Sequence, residues 1–331
     1  MKMRVFVTGG TGLLGNNIVQ ELLTKQHQVT ALVRSIDKGM RILGSQVELV
    51  EGNLQDIEQF AHKLSGQEAL IHAAAYYSEY YRHGNDDHLH ETNVGGTISL
   101  LEAAYQQGLK NVVYISSSGV LESQQDQSTD ESCSYDEATN DPYFRSKIDA
   151  EKEIYRFLDS HPSMRVVMIL PGAMLGPGDR GPTPMGKFVT NFLKGKFKFI
   201  LPGSMNIVDA RDVALGAIKS IHTEPSAERY LIGGRNYQVE EIFKILAEIT
   251  GKPNLSKRIS PAKLMLLARI MALVSKITGK PPELRLSHIR RLQENFRYNS
   301  SKAEHDLQVS FRPLSETLSE TTQWFDDGGY I

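Results

Sequence analysis

The sequence predicts an α/β fold, a doubly wound parallel sheet with a smaller, mostly helical C-terminal lobe. Three observations predict it. Through the first half, short and nearly continuous hydrophobic runs alternate with longer segments of helical periodicity. A glycine-rich turn joins the first of these runs to the first helical segment, and from Val239 onward the pattern is mostly helical. Strands that are apolar along their whole length are buried on both faces, and in a chain of alternating strands and helices this means a parallel sheet covered on both sides.

The elements follow in order. MRVFVT, QVTALVR, QVELVEG, EALIHAAA, NVVYISS and RVVMILPG read as strands, rich in Val and Ile and bounded by Gly, Asn or polar residues. Between them, residues 13–25, 57–64, 87–107 and 142–160 carry apolar residues at helical spacing. After Pro171 the Gly- and Pro-rich passage GAMLGPGDRGPTPMG takes the chain off the sheet. NIVDARDVALGAIKSI reads as a strand turning into a helix and YLIGG as another strand, so the chain returns before leaving again. Residues 1–176 and 205–235 are thus expected to form the sheet domain, and 177–204 and 236–331 the second lobe. At 331 residues the chain exceeds the usual size of one compact unit, which fits two lobes.

Composition excludes some classes. A net charge of −2 gives no general attraction for nucleic acid or anionic lipid. The single cysteine, Cys133, in the polar stretch STDESCSYDE, rules out an internal disulfide or a Cys-based metal cluster and points to a reducing cytoplasm. MKMRVFVTGG enters a strand directly, without the pattern of an export signal. The apolar stretch 262–277 is broken by Lys263, Arg269 and Lys276, short of the roughly 18 to 20 residues of a membrane span. It reads as core, as packing within the second lobe or as a homodimer surface, with contact to a membrane surface weighed below these.

Thr8-Gly9-Gly10-Thr11-Gly12-Leu13-Leu14-Gly15 follows the first strand and opens the first helix. It satisfies Gly-x-Gly-x-x-Gly at 10, 12 and 15 and Gly-x-x-Gly-x-x-Gly at 9, 12 and 15. Glycine suits a turn of positive φ and lets the backbone approach a pyrophosphate, which the free N–H groups and partial positive charge of the helix N-terminus favour. The placement between strand and helix makes this a dinucleotide site on a sheet of the Rossmann type. Where an NAD site places an Asp or Glu, about 20 residues on, this chain has Arg34, with Ser35 beside it and Lys38 nearby. A guanidinium pairs with a 2′-phosphate, so NADP(H) is the expected cofactor, although Asp37 is also close. Gly52-Asn53-Leu54 and Ala73-Ala74-Ala75 end the third and fourth strands, where small residues leave room for a ligand.

The fifth strand ends in Ser116-Ser117-Ser118, and Tyr143 and Lys147 fall four apart on one face of the helix that Asn140 or Asp141 caps and Pro142 opens. A tyrosine hydroxyl titrates near about 10, and a neighbouring ammonium stabilises its phenolate. Tyr143 becomes a usable acid or base, and a serine from the strand end can hold a substrate oxygen while a nicotinamide exchanges hydride.

TGGTGLLG, GNLQD, HAAA, Asn93-Val94-Gly95-Gly96-Thr97, YISSSGV, YFRSK, LPGAMLGPGD and NIVDARDVA, taken in order, resemble the successive motifs of the extended short-chain dehydrogenase/reductases, the NAD-dependent epimerase/dehydratase superfamily, over roughly residues 3–235. The later part, with its terminal WFDDGGYI, is similar to dihydroflavonol reductase-like proteins and to hopanoid-associated sugar epimerases. The resemblance implies Tyr143 as general acid/base, Lys147 also on the nicotinamide ribose, and Ser117 as the substrate-orienting serine, with Ser116 and Ser118 as alternatives. It further implies cofactor contacts from Gly9, Thr11, Gly12, Leu13, Leu14, Gly15, Arg34, Asn53, Leu54, Ala73, Ala74, Ala75, Asn93, Ser116, Pro171 and Gly172. Nucleotide-sugar enzymes of this superfamily usually carry an Arg and an Asn where this chain reads Leu170-Pro171-Gly172-Ala173. Both are missing.

The expected activity is an NADP(H)-dependent interconversion of a largely apolar carbonyl compound and its alcohol, with a nucleotide-sugar epimerase or dehydratase as the alternative. Lys187, Lys194, Lys196 and Lys198 could offer cations to a diphosphate, but the alternation of the last three with Phe197 and Phe199 predicts a strand with one face in solvent. No metal is expected: His88 and His90 are two apart in a polar stretch, His83 to His90, that leads into a helix. Asp209 and Asp212 read as helix-capping acids rather than catalytic ones.

Overall fold

The computed structural model describes residues 2–76, 86–122, 127–224, 226–253, 257–278, 292, 295 and 297–331. The strands are β1 (Arg4–Thr8), β2 (Gln28–Val33), β3 (Glu48–Glu51), β4 (Ala69–His72), β5 (Asn111–Ile115), β6 (Ser128–Thr129), β7 (Arg165–Pro171), β8 (Ala173–Leu175), β9 (Ser204–Asp209), β10 (Arg229–Ile232), β11 (Arg235–Gln238) and β12 (Arg297–Tyr298). The helices are α1 (Leu13–Thr24), α2 (Ile36–Leu43), α3 (Asp86–His90), α4 (Gly96–Gln106), α5 (Pro142–Ser160), α6 (Pro184–Leu193), α7 (Ala210–Lys219), α8 (Val239–Thr250), α9 (Pro261–Thr278), α10 (Ser301–Asp306) and α11 (Leu314–Asp327).

Seven strands form one parallel sheet in the order β10-β7-β5-β4-β1-β2-β3. The sheet is the one predicted. Successive strand side chains point to opposite faces, so Val5 and Val7 join a core that α1 and α7 complete, while Phe6 joins a second core with Leu100, Leu101, Ile148 and Ile154 of α4 and α5. The order of strands reverses between β1 and β4. That reversal opens a crevice at the carboxyl ends of the strands, where open α/β sheets bind ligands.

The strand expected in NIVD is β9, but it lies in a smaller sheet, β11-β9-β8, that the sequence did not predict, parallel to β8 and antiparallel to β11. This sheet packs with α6, α8 and α11 around Phe188, Phe192, Phe243, Leu318 and Phe325. Asp209 caps α7 as predicted, accepting from Arg211 N at 2.8 Å, and Asp212 accepts from the backbone N of Arg312 at 2.8 Å.

Four expectations change. Residues 57–64 form two 3-10 turns, Ile57–Gln59 and Ala61–Leu64, rather than an α-helix. Ile57, Phe60 and Leu64 are buried, and a short segment of this spacing serves either helix type. Residues 87–107 are not one α-helix: a π-helical turn, Glu91–Gly95, separates α3 from α4 and brings Asn93 to 2% exposure. Residues 194–199 are not a strand. Gly195, at φ +65°, ends α6, Phe197 turns back onto Phe188 and Phe243 at 5.2 and 5.1 Å, and Phe199 stays exposed. Helix α9 is not core: Leu264 and Ala268 are its only buried hydrophobics among the described residues. Among those residues no helix is long and apolar enough to cross a membrane.

Candidate active site

The glycine turn lies in the crevice between β1 and β4. Gly9 has φ +75°, and a Cβ there would sit 2.6 Å from the backbone N of Ala74. A Cβ on Gly15 would stand 2.1 Å from the Gly9 carbonyl oxygen, so α1 presses directly on the turn. Gly12 is exposed, donates its N–H to Gly9 O at 3.0 Å and starts α1 without any side-chain cap or acid in the first turn. Gly10, in contrast, would offer a Cβ only ordinary contacts, from 3.4 Å to Leu43 outward. The contacts therefore require glycine at 9 and 15, which favours the 9, 12, 15 spacing over the one that begins at Gly10. An open, uncapped helix N-terminus behind a turn that excludes side chains fits the pyrophosphate of a dinucleotide. Thr11 is half-buried beside it, whereas the side chains of Leu13 and Leu14 are buried, leaving their backbone to face a ligand.

Arg34 stands exposed just beyond β2, and Ser35 caps α2 by accepting from Lys38 N at 3.4 Å. Asn53 is exposed, with Oδ1 accepting from Gln55 N at 2.8 Å, while Leu54 is buried against Gly96. Ala73 and Ala74 donate their N–H groups to Thr8 O and Thr8 Oγ1, both at 3.2 Å, and Ala75 is exposed. At the far side, Pro171 ends β7 beside Ile232, and a Cβ on Gly172 would lie 2.4 Å from Gly233 O.

Asp141 caps α5, accepting from Tyr143 N at 3.0 Å, with Pro142 in the first turn. Tyr143 is half-buried and Lys147 is buried one turn further along the same face. Lys147 Nζ donates to the Ile115 carbonyl at 2.7 Å and to Tyr114 Oη at 3.2 Å, and lies 6.0 Å from the centre of the Tyr143 ring. Burial pulls the Lys147 ammonium down to about 7, against the raising pull of the Glu151 carboxylate. Burial holds the Tyr114 hydroxyl well above its ordinary range.

The three serines separate by direction. Ser116 is buried and donates to Glu151, and Ser118 is buried with its carbonyl accepting from Tyr298 Oη at 3.4 Å. Ser117 alone is half-exposed; its Oγ accepts from Gly119 N at 3.2 Å, which leaves its own hydrogen available. Asn93 is buried and forms a clamp. Its Oδ1 accepts from Tyr76 N at 2.6 Å, and its Nδ2 donates to Tyr76 O and to Ser146 Oγ, both at 3.0 Å. Ser146 in turn donates to Tyr143 O at 2.7 Å, tying the first turn of α5 to the segment after β4.

Sequence reasoning passed over the groups beneath this surface. Glu151 is fully buried, accepts from Tyr135 Oη at 3.0 Å and lies 3.1 Å from Arg229 Nε, an ion pair without hydrogen-bond alignment. Burial raises its carboxyl, offset first by Arg229. The available signal was its position, four residues past Lys147 on the same helical face. His72 bridges Thr8 Oγ1 at 2.7 Å and Thr97 Oγ1 at 3.1 Å. Burial lowers it to about 3, so it is neutral and no proton donor at pH 7. His88 and His90 go separate ways, to Gln55 Nε2 at 3.2 Å and Asp149 at 3.5 Å; residues 83–85 lie outside the described residues.

The comparisons with known proteins agree with this geometry. The profile of the NAD dependent epimerase/dehydratase family matches residues 5–233. A Synechocystis protein carrying a provisional dihydroflavonol 4-reductase name is 29% identical, covering 98% of this chain and 95% of its own. Sterol demethylase protein B of Methylococcus capsulatus is 28% identical over 99% of this chain and 100% of its own. Among solved structures, gox2253 superposes with a TM-score of 0.84 at 25% identity, covering 100% of both chains.

Proposed function

We propose, from the premise that the chain belongs to the NAD dependent epimerase/dehydratase family, that it is an NADP(H)-dependent oxidoreductase interconverting a largely apolar carbonyl compound and its alcohol. The observation that carries this reading is the face of α5 that joins half-buried Tyr143 to buried Lys147, with Ser117 directed outward from the neighbouring strand end. Gly9, Gly12, Gly15 and the start of α1 would hold the pyrophosphate. Arg34 would pair with a 2′-phosphate, which supports NADP(H) over NAD(H). The cofactor, when bound, supplies or accepts the hydride.

In the reducing direction Ser117 donates a hydrogen bond to the substrate oxygen, and Tyr143 gives that oxygen its proton. The phenolate left on Tyr143 is stabilised by Lys147, whose ammonium is held in place by Ile115 O and Tyr114 Oη. Asn93 and Ser146 keep the first turn of α5 in position. Both full-length relatives are named for reactions other than sugar epimerisation, and the chain lacks the Arg and Asn expected for a nucleotide sugar. These points favour the reductase over the nucleotide-sugar alternative.

The test is oxidation of NADPH by the purified chain across a panel of aldehydes, ketones and β-keto compounds. Turnover on an apolar member, with UDP and dTDP as poor competitors, supports the reading. Co-purified NAD(H), strong competition by UDP and no NADPH oxidation would overturn it in favour of an epimerase or dehydratase.

A further inference from the structure

We propose that α9 docks the protein onto an anionic lipid surface.

Leu266, Leu267, Ile270, Leu273 and Val274 are between 42% and 63% exposed, and they are five of the ten large hydrophobic side chains exposed among the described residues. At about 100° per residue they fall within an arc of about 120°. Leu264, Ala268 and Ser275, all buried, lie on the opposite side, against the protein. From Leu266 to Val274 the helix therefore presents an apolar stripe outward, with exposed Lys263 on the same face at its N-terminal end. Its 18 residues span about 27 Å, and it is not apolar enough to cross a bilayer, so the stripe suits a helix lying in the interface plane.

Charge selects the partner. Residues 251–278 contain Lys252, Lys257, Arg258, Lys263, Arg269 and Lys276 and no Asp or Glu. The net charge of −2 thus divides into +6 in this segment and −8 over the rest of the chain. Lys252, Lys257, Arg258, Lys263 and Arg269 are exposed, and among the described residues only Arg258 has an ion-pair partner, Glu240 at 2.6 Å. Basic residues beside an apolar helical stripe match an anionic headgroup layer, where long cationic side chains reach the phosphates while their stems remain with the apolar face. A second copy of this chain is the poorer match: a two-fold contact across α9 would set this cationic patch against itself.

The test is flotation of the full chain with vesicles of phosphatidylcholine alone and of phosphatidylcholine with phosphatidylglycerol. We expect binding to the phosphatidylglycerol vesicles only, weakened by salt. Leu266→Ser/Leu273→Ser and Lys263→Glu/Arg269→Glu should each reduce it by about tenfold or more. Circular dichroism should show both variants folded, since all four side chains are exposed. Absence of binding to either vesicle by the wild type, or binding that neither pair of substitutions alters, overturns the proposal. Sedimentation showing a dimer that Leu266→Ser/Leu273→Ser dissociates, with no vesicle binding, would assign the stripe to self-association instead.

Discussion

Lys147→Met should stabilise the protein while removing its function, and the gain should depend on pH in a stated way. Burial moves this lysine from its ordinary 10.5 to about 7, which at about 1.4 kcal/mol per tenfold in proton affinity favours the neutral amine by about 5 kcal/mol. Below pH 7 the folded and unfolded chains both carry the proton, so the wild type bears this whole cost. Between about 7 and 10.5 the folded chain has released the proton and the unfolded chain has kept it, so wild-type stability rises with pH across that window. Methionine has nothing to ionise. It does forfeit the bonds to Ile115 O and Tyr114 Oη, at about 1 kcal/mol each, which leaves the variant ahead by roughly 3 kcal/mol at pH 6. That advantage should shrink by about 4 kcal/mol by pH 10. Urea denaturation of both proteins at pH 6, 8 and 10 measures it. A stability difference that is the same at all three values would refute the claim that a buried, reluctantly charged ammonium stands at this site.

The other predictions concern the chemistry and its support. Tyr143→Phe should lower turnover by a factor of about 10² to 10⁴ with cofactor affinity nearly unchanged, and more than a tenth of wild-type activity remaining would remove Tyr143 as the acid. Arg34→Asp should reverse a preference for NADPH over NADH of about tenfold to a hundredfold, as charge-assisted pairing of about 1.5 to 3 kcal/mol implies; fluorescence titration with both cofactors decides it. Glu151→Gln removes the carboxylate that raises Lys147 and leaves Arg229 without its buried partner. The lysine-linked limb of the pH–rate profile should move to lower pH, with about 3 kcal/mol lost in urea denaturation, and an unmoved profile would show that Glu151 does not govern the charge on Lys147.

The main sheet was legible because its strands are buried on both faces and therefore spell themselves as unbroken hydrophobic runs. The face of α5 was legible for a related reason: Asp141, Pro142, Tyr143 and Lys147 follow local rules of capping and helical spacing. What escaped were features set by distant partners. Asn93 looks like a ligand-facing polar residue until Tyr76 and Ser146 take its amide. Glu151 looks like one of many helix-surface acids until Ser116, Tyr135 and Arg229 surround it. The alternating Lys and Phe of residues 194–199 satisfy a strand pattern that a single glycine at positive φ disallows. A whole-chain net charge also conceals the cationic segment around α9, because the remaining residues outweigh it.

The wide turn at Glu91–Gly95 holds one residue more than an α-helical ladder would accommodate. Chain length is therefore part of the specification at this point, as much as residue type. Deleting any one residue there would let a regular helix run from α3 into α4, rotate α3 by about 100°, and take His88 off Tyr76 and Asn93 off α5 together. A one-residue gap at this place in an alignment is accordingly no neutral difference. It separates chains that brace the tyrosine helix with an inward asparagine from chains that must brace it by other means.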